Sequence, residues 1–511
     1  HVKQVIIDGQ SLTIETVIEV AHDPAIHVNL SNEAVERINK ASEAVANFIE
    51  TGQIAYGITT GFGAFKDRLI PLEDVEKLQE NIILSHAVGV GDALDEATTR
   101  AMMLIRANTL AKGHSGIRLQ VLELLLSLLN HNVLPLIPEK GSLGASGDLA
   151  PLAHMSLPLI GQGYVIFEGE LRPSLEVLDE LGLSPVRLAA KEGLALTNGT
   201  TLMTAIGTLM VHHAENIMRS ANLAAAITLE AQNGTTRAYT HQIHAIRPQN
   251  GQMETAAMMR DLLKNSNLTR PDDPTNIQDA YTLRCVPQVH GAVSHTLSFV
   301  RGVIETELNS VTDNPLLFWD ENDQPFIVSG GNFHGEPLAL ALDYLAIAFA
   351  DLGNMSERRI AKLIDSKPES NTYPDFLIAK GGVNSGFMLL QYTAAALASE
   401  NKSLAHPSSL DSIPSSGNVE DHVSMGATAA VHCRQVMQNV AMIIAIELMS
   451  ACQAVDFRLQ NLPNATMGDG TSQAYKLLRR HVPFFEADTW FQPYMLTVSD
   501  MVWEGEFAKL I

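Results

Sequence analysis

Five long stretches of this 511-residue chain, 202–231, 286–308, 338–364, 387–404 and 425–454, repeat apolar residues at helical spacing and carry few charges. Several outrun the usual globular helix and are apolar round much of their circumference. Such helices must be covered on most sides, as in a bundle or an oligomer core. No fixed repeat connects them, which excludes a solenoid. The expected fold is therefore mainly α. A mixed N-terminal domain should occupy 1–200, and a helical bundle domain 201–511 should form the oligomer core. Charged residues make up only 18% of the chain, below the roughly 25% usual for soluble proteins. A surface so poor in charge is often hidden against copies of the same chain.

The charge balance narrows the partners. Lys and Arg total 34 against 57 Asp and Glu, a net charge of -23. Such a chain repels phosphate backbones and anionic membrane surfaces, so neither nucleic acid nor membrane is an expected partner. No unbroken apolar run reaches the 18 or so residues of a membrane span. The opening His1-Val2-Lys3 carries no signal core. Cys285, Cys433 and Cys452 are too widely spaced for a disulfide framework. A cytoplasmic location is expected.

The N-terminal part opens with strand-like pieces at 5–7 and 11–14 around Gly9, then a helical pattern at 32–49. Tyr56-Gly-Ile-Thr-Thr-Gly-Phe-Gly63 breaks regular structure and reads as a loop. Helical signals return at 75–86, 96–112 and 119–129. Then Pro135, Pro138, Gly141, Gly144 and Gly147 punctuate the chain. By spacing alone, Gly141-Ser-Leu-Gly-Ala-Ser-Gly-Asp-Leu-Ala-Pro151 is a helix-entry loop with Asp148 as N-cap. It is not Gly-x-Ser-x-Gly, and it lacks the Lys of a phosphate loop. Ala145-Ser146-Gly147 also permits self-modification. Glycine tolerates tight geometry, so the nitrogen of Gly147 can reach the carbonyl carbon of Ala145. If Ser146 then loses water, a five-membered ring with an exocyclic methylene forms. That ring is an electrophile, which side chains seldom supply and cofactors usually do.

The segment from Gly144 to His154 resembles the signature of the aromatic amino acid ammonia-lyases, whose members carry a 4-methylidene-imidazol-5-one (MIO) group. The resemblance extends to Tyr56–Gly63, Lys191-Glu-Gly-Leu-Ala-Leu-Thr-Asn-Gly-Thr200, Gln278-Asp-Ala-Tyr-Thr-Leu-Arg-Cys285, Ser329-Gly-Gly-Asn-Phe-His-Gly-Glu336, Gly382-Val-Asn-Ser-Gly-Phe-Met388 and Glu420-Asp-His-Val-Ser-Met425. It implies a fumarase/aspartase-like helical fold, a homotetramer with active sites shared between subunits, and an MIO made from Ala145, Ser146 and Gly147 with no external cofactor.

The same resemblance implies roles. Tyr56 would be the base for the substrate's β proton. Arg284 would clamp the carboxylate through parallel hydrogen bonds. Tyr281, Asn198 and Phe333 would line the MIO, with Gln278 beside Tyr281 and Met388 in an apolar wall. Ser85-His86 and Glu420 match the histidine branch of the family. Together His86 and Glu420 can hydrogen-bond both nitrogens of an imidazole. The expected reaction is elimination of ammonia from L-histidine to give trans-urocanate. A phenylalanine or tyrosine lyase, an aminomutase and an inactive helical scaffold remain as alternatives. The substrate amine or its ring could attack the MIO. His241, His244, His290 and His295 form no metal-binding motif, so no metal is expected.

Overall fold

A computed structural model describes residues 2–52, 58, 60, 65–271, 278–364 and 373–511. They form two compact units. The first comprises His1–Leu209, Arg301–Asp343 and Pro407–Val431; the second comprises Met210–Val300, Tyr344–His406 and His432–Ile511. A cut at residue 200 would leave Phe333 and Glu420 outside the N-terminal part, whereas the first unit takes in both. Backbone bonds hold these returning segments: Leu317 N donates to His114 O at 3.0 Å, and Met425 N to Leu143 O at 2.9 Å. Leu317 also fills a core with Val45 and Phe48.

In the first unit β1 (Gln4–Ile7) pairs in parallel with β2 (His27–Leu30). The helix α1 (Ile14–His22) lies between them in sequence. A strand expected at 11–14 is absent, because Thr13 caps α1 by accepting from Thr16 N at 3.1 Å. Next come α2 (Asn32–Glu50), α3 (Val75–His86), β3 (Val90–Ala93), α4 (Glu96–Ala111) and α5 (Leu119–Asn130). They are followed by β4 (Leu134–Pro135), β5 (Pro138–Lys140), α6 (Leu149–Ser156), β6 (Tyr164–Phe167), β7 (Glu170–Pro173), α7 (Ser174–Glu180) and α8 (Glu192–Thr197). The strands make small antiparallel sheets, β3-β5 and β4-β6-β7, and the hairpin of β8 (Leu316–Trp319) and β9 (Pro325–Val328).

The helix α4 is buried at every residue from Thr98 to Ala111, including Arg100 and Arg106. Each arginine reaches the carbonyl end of a neighbouring helix. Arg100 Nε donates to Val20 O at 2.8 Å and its Nη1 to Leu129 O at 3.1 Å. Arg106 Nη2 donates to Ala195 O in α8. Cations there satisfy orphan carbonyls and oppose the negative end of the helix dipole.

The helices α9 (Thr201–Ala231), α13 (Val286–Glu307), α14 (Glu336–Ile364) and α16 (Gly426–Asn461) lie mostly in the second unit. That unit also holds α10 (His241–Ala245), α11 (Asn250–Leu262), α12 (Tyr281–Arg284), α15 (Met388–Leu404), α17 (Asp469–Arg479) and α18 (Gln492–Trp503). The long-helix pattern read from the sequence is thus present. By length and composition α14 and α16 could each cross a membrane, which corrects the expectation from unbroken runs. Isolated acids such as Asp351 and Glu447 interrupt the runs without making the helices polar. The apolar windows of α14 and α16 are 67% and 89% buried within the protein, as in core helices.

Glu447 is fully buried and explains its own presence. Its carboxylate accepts from Arg359 Nε at 2.7 Å and Nη2 at 2.9 Å, from Ser356 Oγ at 2.7 Å and from Thr228 Oγ1 at 2.6 Å. Arg359 also donates to Thr282 O at 3.2 Å, so the pair anchors α12. Glu447→Leu would leave the Arg359 guanidinium buried and unpaired. The expected loss is about 3–5 kcal/mol, to be read from thermal and denaturant unfolding against wild type.

Candidate active site

The site is built where two backbones touch. Gly147 and Gly199 form a parallel bridge, and Asp148 N donates to Gly199 O at 2.6 Å. Gly147 has φ +83°, and a Cβ there would sit 2.1 Å from Gly199 O. Gly199 has φ +152°, and a Cβ there would sit 2.0 Å from Arg106 Nη1. Only glycine fits either position.

This contact presents Ser146 to a cavity of about 530 Å3 in the first unit. The carbonyl of Ser146 accepts from Asn198 Nδ2 at 2.6 Å. Its hydroxyl donates to Glu420 Oε1. Ala145 packs with Val423 and Met425. The preceding turn is tied down by Ser424 Oγ, which donates to Gly144 O at 3.1 Å. Asn198 is 2% exposed and its Oδ1 is buried without a partner among the described residues. His86, Asn198, Phe333 and Glu420 all line the Ser146 cavity. His86 ends α3, with Ser85 Oγ 3.0 Å from its Nδ1. Burial pulls its pKa below the usual imidazole value, against the opposing pull of Glu420.

Gln278, Tyr281 and Arg284 lie in the second unit, along a cavity of about 720 Å3. The Arg284 guanidinium sits 4.7 Å from the Tyr281 ring centre, and its Nε is buried without a partner among the described residues. Tyr239 OH donates to Leu283 O at 2.7 Å and helps fix this segment. Met388 opens α15, half-buried, also in the second unit. Tyr56 lies outside the described residues.

Asp148 corrects one expectation. It stands at the N-cap position of α6, but its side chain makes no capping bond there. Its carboxylate accepts from Ser142 Oγ at 2.7 Å and from Met203 N at 3.1 Å, in the first turn of α9. The fold brings a foreign helix end nearer than its own. The sequence reading also missed three residues. Arg68 lines the Ser146 cavity, 4.6 Å over the ring of Phe65. Asn314 lines it too, and accepts from Gly330 N at 2.7 Å, steadying the segment that carries Phe333. Arg106 lies behind Gly199. None stands out in sequence, apart from Arg106 as a charge inside an apolar helical pattern.

Buried charge surrounds the turn. Lys191 and Asp313 form a pair at 2.8 Å, both fully buried. Burial pushes the pKa of Asp148 up to about 6, despite its hydrogen bonds and Arg106.

Residues 12–480 match the aromatic amino acid lyase family. The chain belongs to that family. It is 54% identical to the histidine ammonia-lyase of Chloroflexus aurantiacus, over 99% of this chain and 98% of that one. The crystal structure of histidine ammonia-lyase from Trypanosoma cruzi is 41% identical, with a TM-score of 0.90, covering 99% of this chain and 94% of that chain. Tyrosine aminomutase from Streptomyces globisporus is 38% identical, with a TM-score of 0.93, covering 99% and 98%.

Because the pKa of Asp148 is raised on folding, the folded state holds the extra proton between about pH 4 and 6. This group's contribution to stability therefore falls as pH rises through that window and is flat above it. Asp148→Asn should remove this slope. Melting temperatures of wild type and variant across pH 4–7 measure the difference.

Proposed function

We propose that this chain is a histidine ammonia-lyase, converting L-histidine to trans-urocanate and ammonia, with an electrophile made from Ala145, Ser146 and Gly147. The observation that carries the substrate is the placement of His86 and Glu420 on the one cavity that also holds Ser146 and Asn198. An imidazole has two ring nitrogens for such a pair. A phenyl ring would leave both groups unmatched, at about 1–3 kcal/mol each.

The residues present fit the MIO group. Its ring needs Gly147 without a side chain, and the space a Cβ would take is filled by Gly199 O. Ring closure releases the Ala145 oxygen as one water, and dehydration releases the Ser146 hydroxyl as a second. The group supplies an electrophilic methylidene carbon conjugated to the Ser146 carbonyl. Asn198 holds that carbonyl oxygen at 2.6 Å, where a donor stabilises developing negative charge. Glu420 and His86 orient the imidazole. Tyr56 accepts the β proton as the Cα–N bond breaks, and the C–H electron pair becomes the new double bond. Arg284 holds the carboxylate, and its Nε, without a partner among the described residues, is a donor suited to that. Within this reading the protein is a homotetramer. Gln278, Tyr281 and Arg284 reach the Ser146 cavity from another subunit.

Purified enzyme should turn over histidine faster than phenylalanine or tyrosine, and its mass should be lower than the encoded chain by two waters. Release of urocanate, followed by absorbance, separates this from an aminomutase, which would return a β-amino acid without free ammonia. Faster turnover of phenylalanine would overturn the substrate reading. Asn198→Ala should lower kcat by about a hundredfold or more. Glu420→Gln should narrow the preference for histidine over phenylalanine, measured as the ratio of kcat/KM values.

A further inference from the structure

We infer that Arg106 is a positioning residue for the self-modification of Ala145-Ser146-Gly147, acting through the turn from Asn198 to Thr201. The inference rests on the MIO reading above. The turn joins α8 to α9 and makes both close bonds to the triad segment: Asn198 Nδ2 to Ser146 O and Gly199 O from Asp148 N, each 2.6 Å. Arg106 braces it from behind. Its Nη2 donates to Ala195 O at the end of α8, and its Nη1 is 3.5 Å from Thr201 Oγ1 at the start of α9. The same Nη1 fills the space behind Gly199 so closely that a Cβ there would come within 2.0 Å.

Arg106 is fully buried, and these partners are neutral oxygens. Its Nε is buried without a hydrogen-bond partner among the described residues. Asp313 and Asp148 act on it only through their fields, and burial pulls its pKa down to about 10. A buried cation so weakly satisfied is costly. A neutral side chain would meet the packing need alone at lower cost. What the guanidinium adds is a rigid fork spanning two helix ends and positive potential at the carbonyl end of α8. The fork favours ring closure by fixing the turn. Attack of Gly147 N on the Ala145 carbonyl requires a fixed, compressed turn, and displacement of such a geometry by about 1 Å can cost about a hundredfold in rate.

Arg100 supplies the control. It lies on the same helix, equally inaccessible, and caps α1 and α5 instead. The test compares wild type, Arg106→Lys, Arg106→Met and Arg100→Met. For each, intact mass gives the fraction of folded chains lighter by two waters, thermal unfolding gives stability, and histidine turnover is expressed per dehydrated chain. Expected is a dehydration rate lower by about a hundredfold in Arg106→Met, with partial recovery in Arg106→Lys. Arg100→Met should melt lower yet dehydrate as wild type does. If Arg106→Met does not fold, Arg106→Lys decides, since it keeps the charge and loses the fork. Folded Arg106 variants that dehydrate at the wild-type rate would overturn the inference alone. Equal slowing in Arg100→Met would reduce Arg106 to a general stabiliser. Wild-type protein of full encoded mass would instead sink the MIO reading, and this inference with it.

Discussion

The contact between Gly147 and Gly199 is the constraint on which the site depends. The two backbones meet with no room for a Cβ on either side, bonded through Asp148 N and Gly199 O at 2.6 Å. One partner precedes α6 and the other precedes α9, so the contact sets where both helices begin. It also turns the Ser146 carbonyl toward Asn198 and its hydroxyl toward Glu420. A side chain at either glycine would separate these pairs, and the chemistry of the triad would lose its geometry before any substrate arrived.

The charges behind this contact follow from it. Backbones packed so tightly leave helix ends without water, and those ends must be satisfied internally. Asp148 serves the amide end of α9, Arg106 the carbonyl end of α8, and Glu192 the amide of Arg118 at 2.9 Å. Lys191 and Asp313 neutralise each other in the same region. In the second unit Arg359 and Glu447 do the same work around α12.

Much of this was legible in the residues. Because an apolar stripe is a local signal, helical periodicity located α3 at Val75–His86 without error and four of the five long helices to within two residues at either end, whereas α16 runs on to Asn461 beyond the expected 454. The Ala-Ser-Gly turn, Asn198, Glu420 and His86 stood out in the residues because their motifs are long, and the structure brings them to one cavity. The turn at Thr13 and the true role of Asp148 were not. Thr13 lies in a short mixed stretch where strand and helix signals compete. Asp148 looks like an N-cap because its own helix starts next to it, and only packing reveals that its carboxylate points to α9. Arg68 and Asn314 carry no motif, so their place on the cavity was invisible.

The sequence by itself determined a mainly helical chain and, through its motifs, membership of the aromatic amino acid lyase family. These are local patterns of spacing and residue type. Tertiary structure alone decided which distant segments join the N-terminal part, as residues 301–343 and 407–431 do. It also decided that Asp148 and Arg106 serve helix ends far from them in sequence, and that Gln278, Tyr281 and Arg284 line a cavity of their own. The reason is that burial and hydrogen-bond satisfaction are properties of whichever surfaces meet, and a linear chain does not record its meetings.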